Sequence, residues 1–333
     1  MPRTLLSSRR AVYWLAAAIA LCVAAFAGFM QWREAVDERI VSVPLSPDDP
    51  EQERVGALVY RGGLDIPRMG RNIGGLSALR WDEASGRLLA LTDDARFVWM
   101  TPIEKGGRLV GIETIETSDL LGLSGEALTG KEQGDSESLE RTAEGAWAIG
   151  FERDHRVWVY AGGLDQPPVR SAIDPLEALG DLESNGGLEA MARTGGARLI
   201  CAERQATPDR ANCALSRAGG ADVTPFAVAP SEAVATLGGV PTDAVAVSDD
   251  AFAVLFRSYS PADGNSAAIV AHTLTGERME IATLRPPLSV DNFEGLAARK
   301  EGEGLSFYIV SDDNFSSNQR TLLMKFEWMP PVD

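Results

Sequence analysis

The chain is poor in the residues that many hydrolytic and metal-binding motifs require. It has two histidines and three cysteines among 333 residues, and no two cysteines stand in a C-x-x-C pair. A cysteine-based zinc cluster is therefore not supported. The G-x-S-x-G turn of serine hydrolases and the Walker A loop of nucleotide-binding proteins are also missing, so neither chemistry is expected.

Positive charge is scarce as well. Lysine and arginine total 31 against 48 aspartates and glutamates, which gives a net charge of −17. Residues 1–30 hold three arginines and no acid, so the rest of the chain carries −20. Nucleic acid is not expected as a partner, because its binding depends on lysine and arginine displacing counterions. The acidity favours cations, either Ca²⁺-like metals or positively charged partners.

An uncharged apolar run, residues 11–30, follows Arg9 and Arg10. Twenty such residues can cross a bilayer as a helix whose basic end stays cytoplasmic. The run is predicted to be a signal anchor or a signal peptide cleaved near Ala25-Phe26-Ala27, and a soluble-core helix is the third alternative. We therefore expect membrane contact through residues 11–30 and a location in the bacterial envelope, in the periplasm or on the extracytoplasmic face of the inner membrane.

The remaining chain is divided into a linker at residues 31–54, which contains three prolines, and a domain at residues 55–333. Within this domain, Cys201 and Cys213 flank a polar stretch typical of a hairpin loop. Cysteines at mirrored positions of a hairpin face each other, and an oxidising periplasm would let them form a disulfide. The alternative is two unlinked small hydrophobic residues.

From residue 55 onward, short apolar and β-branched runs alternate with turn residues, which predicts an all-β fold. One pattern recurs five times: a small or acidic cluster ending in an apolar residue, a turn, and a strand that finishes in charge. The aligned apolar residues are Leu76, Leu139, Leu188, Val245 and Leu296. Their spacing of 49 to 63 residues is typical of four-stranded propeller blades of roughly 40–50 residues with longer loops.

The repeat favours a β-propeller of six blades, preceded by the N-terminal apolar helix. Five to seven blades are compatible with the length of the domain, and a β-sandwich is the alternative fold. Neighbouring copies must pack on one another, because one strand–turn–strand unit cannot bury both of its faces alone. The last predicted strand, Thr321–Trp328, is expected to pair with Ala57–Gly63 and close the ring.

Each copy of the repeat carries acids at two places. The acids of the leading clusters are Glu137, Glu189 and Glu294, with Asp243 in the weakest copy. Those of the strand ends include Asp93, Glu152, Glu203 and Asp312. In a ring, equivalent positions of successive blades meet at one end of the axial channel, so these carboxylates are expected to converge. They then need compensation by metal, arginine or protons, and oxygen-rich sites suit Ca²⁺ or Mg²⁺ better than zinc.

Arginines follow several of the strand ends, among them Arg204, Arg257 and Arg320. They are predicted to bind the phosphate of a substrate beside a carboxylate-held metal. The alternative is that glutamates and arginines of adjacent blades pair with each other and only fix the blade spacing.

The segments GGLSAL, DSESLE, SNGGLEAMA, NFEGLAA and SDDNFSSNQR resemble the phytase-like family called "esterase-like activity of phytase". The resemblance covers about residues 70–328. It implies a propeller-like fold in which recurring acids support phosphoester hydrolysis, here Glu137, Glu189, Glu294 and Asp312–Asn314. One departure is Phe256 before Arg257, where the family tends to have glutamate, so one blade is a carboxylate short.

These observations predict a metal-assisted phosphoester hydrolase that acts on a phosphorylated small molecule. Glu189 and Glu294 are the predicted catalytic residues, and Ca²⁺ is the predicted cofactor. The predicted metal ligands are Glu137, Glu189, Glu294 and Asp312. The alternative function is a non-catalytic, membrane-anchored propeller that binds a protein or a small ligand.

Overall fold

The computed structural model describes residues 40–67, 73–207, 210–217 and 223–330. The predicted apolar helix at residues 11–30 and part of the predicted linker lie outside these ranges. Within them, no helix has both the length and the apolar character needed to span a bilayer.

The described chain consists mainly of β-strands joined by turns. Three strands come first: β1 (Val41–Ser42), β2 (Arg54–Val55) and β3 (Leu58–Ile66). Blade 1 contains β4 (Leu76–Asp82), β5 (Arg87–Thr92), β6 (Arg96–Lys105) and β7 (Arg108–Asp119). Blade 2 contains β8 (Ser136–Arg141), β9 (Trp147–Phe151), β10 (Arg156–Tyr160) and β11 (Val169–Arg170).

The other three blades follow the same antiparallel order. Blade 3 contains β12 (Leu188–Arg193), β13 (Ala197–Thr207), β14 (Arg210–Arg217) and β15 (Val223–Pro225). Blade 4 contains β16 (Val240–Ser248), β17 (Ala251–Ser260), β18 (Gly264–Thr273) and β19 (Arg278–Leu284). Blade 5 contains β20 (Phe293–Glu301), β21 (Gly304–Ser311), β22 (Thr321–Trp328) and β3. Short helices in the connections are α1 (Lys131–Gly134), α2 (Pro175–Leu179) and α3 (Glu232–Ala235).

The predicted β-propeller is present, but the favoured number of six blades was wrong, because the described residues form five. Each of the five aligned apolar residues lies in the first strand of a blade, so the repeat itself marks the blades correctly. The residues expected for a sixth blade do not form a separate sheet in the described part of the chain. They form the connections between blades, and β3 serves as the fourth strand of blade 5.

Blade 5 joins the two ends of the described domain. Strand β22 pairs antiparallel with β3, and the register places Phe326 opposite Tyr60 and Trp328 opposite Leu58. The predicted pairing of Thr321–Trp328 with Ala57–Gly63 is therefore confirmed. It leaves the ring closed by main-chain hydrogen bonds rather than by side-chain packing alone.

The β13–β14 hairpin carries the two cysteines of the domain. Its register places Cys201 directly opposite Cys213, and the two sulfur atoms are bonded at 2.04 Å. Both residues are buried, so the predicted disulfide lies inside blade 3.

The first strands of the five blades surround the propeller axis, and each contacts the first strand of the next blade. Between blades, apolar side chains form continuous buried clusters. Leu255 and Ile269 of blade 4, for example, share one cluster with Leu296 and Ile309 of blade 5. Burying such a side chain contributes about 1.5–3 kcal/mol, so the interfaces between blades hold much of the stability of the ring.

A buried ion pair crosses the axis between opposite sides of the ring. Asp243 of β16 is fully buried, and its Oδ2 lies 2.8 Å from Arg80 Nη1 of β4. The same oxygen accepts hydrogen bonds from the backbone N–H groups of Leu79 at 3.2 Å and Leu296 at 2.8 Å. Arg80 also donates to the carbonyls of Leu296 at 3.0 Å and Met191 at 2.7 Å. Blades 1, 3, 4 and 5 are thus tied together at one point, so Asp243 serves the ring and not a ligand site.

Substituting Asp243→Ala should lower the free energy of unfolding by about 3–5 kcal/mol, because it leaves the Arg80 guanidinium buried without its counterion. Urea denaturation followed by circular dichroism measures this loss. The exposed Asp249→Ala in the same blade is the control and should change stability by less than about 0.5 kcal/mol. Equal stability of the two variants would contradict the role assigned to the pair.

Candidate active site

All of the acids named from the sequence, except Asp243, lie at one end of the axis. The strands of a blade are antiparallel, so the start of the first strand lies beside the end of the second: Ser136 pairs with Phe151, and Phe293 pairs with Ser311. Leading clusters and strand ends therefore meet at this end, around a cavity of about 150 Å³ that we call the acidic cavity. Its lining residues are Gly75, Leu76, Ser77, Asp93, Lys131, Asp135, Glu137, Glu152, Asn185, Glu189, Glu203, Arg257, Glu294, Asp312 and Asn314.

Two carboxylate triads form within the acidic cavity. Asp135, Glu137 and Glu152 make the first, and Glu152, Glu189 and Glu203 make the second. In each triad, one oxygen from every member lies within 4.8 Å of those of the other two. Glu152 belongs to both triads, so the two groups are continuous.

The four predicted metal ligands all line this cavity, but the structure divides them. Glu137 and Glu189 belong to the triads, whereas Glu294 and Asp312 do not. Glu294 is instead engaged by a cation and an amide: its Oε1 lies 2.7 Å from Arg257 Nε and accepts Asn292 Nδ2 at 2.7 Å.

The three predicted phosphate-binding arginines occupy different places. Arg257 lines the acidic cavity, and its Nη2 donates to Glu203 Oε1 at 2.6 Å. Arg204 is exposed and donates to the Asp181 carbonyl at 3.2 Å. Arg320 lies 3.5 Å from the Asp291 carboxylate, and neither Arg204 nor Arg320 is among the described residues that line the cavity.

Blade 4 contributes this arginine where other blades contribute an acid. Phe256, the residue noted in the sequence as a departure, is fully buried and contacts the ring of His272. The next residue along the strand, Arg257, therefore faces the cavity. The blade supplies a positive charge, which offsets part of the repulsion among the carboxylates.

The sequence did not single out Asp135, which is a member of the first triad, or Lys131, which is a basic neighbour of that triad. Asp135 stands two residues before Glu137 and points into the same cavity, as the i, i+2 alternation near a strand allows. Lys131 of α1 reaches Asp93 Oδ2 at 2.6 Å, and its Nζ lies 3.7 Å from Asp135 Oδ1. The DSES motif could have revealed Asp135, but nothing in the repeat points to Lys131, because it lies in a connection between blades.

Burial and mutual repulsion shift the protonation of these acids. Burial raises the pKa of Glu189 well above its ordinary value, and the neighbouring carboxylates raise it further. The pKa of Glu137 is raised in the same way, with Glu189 the largest neighbouring charge. Burial raises the pKa of Glu294 to about 8 despite the nearby Arg257. Burial also raises the pKa of Asp312 to about 7. At neutral pH Glu294 keeps its proton and Asp312 is about half protonated, while the raised pKa values of Glu137 and Glu189 favour their neutral forms. A bound cation would favour the charged forms instead.

The donor set fits a hard divalent cation. Asp135 Oδ2 accepts Arg153 Nε, but its Oδ1 is buried and has no hydrogen-bond partner among the described residues. Asp93 Oδ1 in the same cavity is buried and unpartnered in the same part of the chain. Unpaired, buried carboxylate oxygens are costly by themselves and are the ligands that Ca²⁺ and Mg²⁺ prefer. The first triad therefore suits such a cation better than it suits zinc.

Several solved structures are similar to this chain at low sequence identity. A thermostable family-43 glycoside hydrolase is 11% identical, with 78% of this chain and 94% of that chain covered and a TM-score of 0.47. An endo-arabinase from Bacteroides thetaiotaomicron is 13% identical, with 81% and 98% covered and a TM-score of 0.44. A catalytically inactive virginiamycin B lyase from Staphylococcus aureus is 10% identical, with 84% and 82% covered and a TM-score of 0.37. At such TM-scores, these likenesses support no argument about this chain.

Sequence comparison is more informative about the family. No curated protein matches the chain. The family model described as phytase-like, with the esterase-like activity of phytase, matches residues 71–315. These residues include four complete blades, two of the four strands of the fifth and every residue of the acidic cavity. The chain therefore belongs to the phytase-like family.

Proposed function

We propose that this protein is a metal-assisted phosphoester hydrolase and that the acidic cavity is its active site. The observation that carries the proposal is the pair of carboxylate triads that share Glu152 in one cavity, with Arg257 in its wall. Family membership supports hydrolysis in general, and the donor chemistry supports a divalent cation, for which Ca²⁺ is our candidate. The substrate would be a phosphorylated small molecule.

The charges of the cavity explain why a cation is needed. An anionic phosphate is repelled by this many carboxylates, and one cavity arginine and one lysine do not outweigh them. When bound at the triads, a divalent cation would neutralise this charge and polarise a phosphoryl oxygen. Each triad would hold one cation: Asp135, Glu137 and Glu152 would supply the ligands of the first site, and Glu152, Glu189 and Glu203 those of the second.

Two side chains outside the triads have separate roles. The Arg257 guanidinium is positioned to contact a phosphoryl oxygen, since it lies in the wall between the Glu203 and Glu294 carboxylates. Glu294 is the candidate general acid, because a carboxyl with a pKa of about 8 keeps its proton at neutral pH. Its Oε1 already contacts Arg257 and Asn292, so the proton would reside on Oε2. As a water molecule attacks phosphorus and the bond to the leaving oxygen breaks, this proton would pass to the leaving oxygen.

The envelope is the location that we propose for this activity. The apolar run at residues 11–30 and the Cys201–Cys213 disulfide support it, because disulfides persist in oxidising compartments. Protease added to spheroplasts should degrade the domain, and full protection until the membrane is ruptured would contradict this location.

One observation favours a second function, that of a non-catalytic binding propeller. Several cavity acids already have basic partners: Arg153 pairs with Asp135, Lys131 with Asp93, and Arg257 with both Glu203 and Glu294. Such pairs stabilise the ring without any chemistry, so turnover must be measured directly.

Purified full-length protein with Ca²⁺ should hydrolyse p-nitrophenyl phosphate, and Glu294→Gln should lower kcat by about 100-fold or more, the usual contribution of a general acid. Glu189→Gln should raise the Ca²⁺ concentration needed for half-maximal activity, because it removes a charged ligand. Glu277→Gln changes an exposed glutamate by the same chemistry and should leave activity unchanged.

Full activity of the Glu189→Gln, Glu294→Gln double variant would eliminate this site. No turnover of any phosphoester by the unaltered protein, with or without Ca²⁺, would favour the non-catalytic alternative.

The stability of the metal-free protein should fall as the pH rises from about 4.5 to about 8. Glu294 and Asp312 have folded-state pKa values of about 8 and about 7, above the ordinary values of 4.5 and 3.8. Between the ordinary and the raised value the folded state binds more protons than the unfolded state, so raising the pH favours unfolding. Thermal melts in a chelator measure this slope.

Glu294→Gln should make the slope shallower, whereas the exposed Glu277→Gln should not change it. Saturating Ca²⁺ should raise the melting temperature more at pH 8 than at pH 5, because protons compete with Ca²⁺ for the carboxylate ligands. A Ca²⁺ effect that is equal at pH 5 and pH 8 would contradict binding at the triads.

A further inference from the structure

A second cavity lies on the propeller axis, at the end opposite the acidic cavity. It has a volume of about 160 Å³, and we call it the far cavity. The later residues of the first strands enclose it, with Trp81 of β4, Glu140 of β8 and Arg193 of β12 in its wall and small alanines on its other sides. Arg80 also lines it, but that guanidinium is engaged by Asp243 and by three carbonyl groups. A ligand in the far cavity would therefore contact the polar groups of Trp81, Glu140 and Arg193.

Glu140 presents an unused acceptor to the far cavity. Its side chain is 1% exposed, and its Oε1 contacts Arg198 through Nε at 2.6 Å and Nη2 at 2.5 Å. Its Oε2 is buried and has no hydrogen-bond partner in the described part of the chain. A buried carboxylate oxygen without a donor is unfavourable, so we look for a donor to this atom from outside the protein.

Trp81 presents the complementary unused group. Its indole Nε1 is buried and finds no acceptor among the residues that the structure describes. Indole N–H is a donor only, so its partner must be an acceptor such as a carboxylate oxygen.

Arg193 adds a free positive charge at the same place. It forms no salt bridge within the described ranges, and the acid with which it interacts electrostatically, Glu144, is exposed. By contrast, Arg141 in the same wall lies 3.1 Å from the Asp82 carboxylate and stacks on the Trp147 ring. Arg193 is therefore the guanidinium with its donors available to an anion.

We propose that the far cavity binds a small hydroxycarboxylate anion. The carboxylate would accept hydrogen bonds from Arg193 and Trp81 Nε1, and the hydroxyl would donate to Glu140 Oε2. This arrangement satisfies the unpaired donor, the unpaired acceptor and the free charge with one ligand.

Other ligand classes fit these groups less well. A metal cation or an ammonium group at Glu140 would lie among the guanidinium groups of Arg80, Arg141 and Arg193, which repel it. A simple carboxylate would leave Glu140 Oε2 without a donor. The size of the cavity sets a further limit, because a cavity of about 150 Å³ accommodates benzene, a molecule of about six non-hydrogen atoms.

Isothermal titration calorimetry of the full-length protein in a chelator tests this inference, with DL-lactate as the probe. Lactate should bind saturably, and propionate, which lacks the hydroxyl, should bind at least about 10-fold more weakly, because the bond to a charged acceptor is lost. Arg193→Gln should weaken lactate binding by about 10-fold or more. Arg204→Gln, at an exposed arginine of the same blade, should leave it unchanged.

Glu189→Gln separates this inference from the proposed hydrolase, since a change in the acidic cavity should not affect lactate binding. The inference is overturned if lactate gives no binding heat, if propionate binds equally well, or if Arg193→Gln binds lactate as the unaltered protein does. The comparison of lactate with propionate uses the unaltered protein, so it holds even if a variant folds poorly.

Discussion

The two cavities depend on the ion pair and hydrogen bonds of the Asp243 carboxylate at the centre of the ring. This carboxylate accepts hydrogen bonds from the backbones of blades 1 and 5 and from Arg80, and Arg80 continues the network to a carbonyl of blade 3. A buried carboxylate is tolerated only where all of its partners are in place, so the network fixes the spacing of the first strands. The acidic cavity lies at the starts of these strands, and the far cavity lies towards their other ends.

Antiparallel pairing then decides where the charges go. The start of each first strand lies beside the end of the second strand. Glu137 therefore lies close to Glu152, and Glu189 close to Glu203, because each pair belongs to neighbouring strands of one blade. This concentration of negative charge is unfavourable unless protons, basic side chains or metal offset it. Arg257 and Lys131 offset part of this negative charge, but Asp135 Oδ1 and Asp93 Oδ1 are buried without a hydrogen bond in the described part of the chain. A cation bound at the triads, as proposed, would offset the remaining negative charge and would allow an anionic substrate to enter the cavity.

The sequence predicted those features that recur with the blade repeat. The aligned apolar residues revealed the propeller, the pairing of the terminal strands and the convergence of the acids, because each depends on position within a blade. The favoured sixth blade came from the length of the domain, whereas the repeat occurs five times; the additional residues form the connections between blades. Arg204 shows another limit: it follows Glu203 directly, and the alternation of a strand sends the two side chains to opposite faces. Lys131 and the Arg80–Asp243 pair arise from connections and cross-axis contacts, which leave no periodic signal.

The central claim is that the two triads are cation sites, and anomalous X-ray scattering from crystals grown with Ca²⁺ tests it most directly. We predict two peaks in the acidic cavity, each about 2.3–2.6 Å from an oxygen of every member of one triad, with Glu152 contacting both. Peaks that lie only outside the cavity, or triads that hold water alone at saturating Ca²⁺, would contradict the claim and leave the carboxylates as structural partners of the arginines around them.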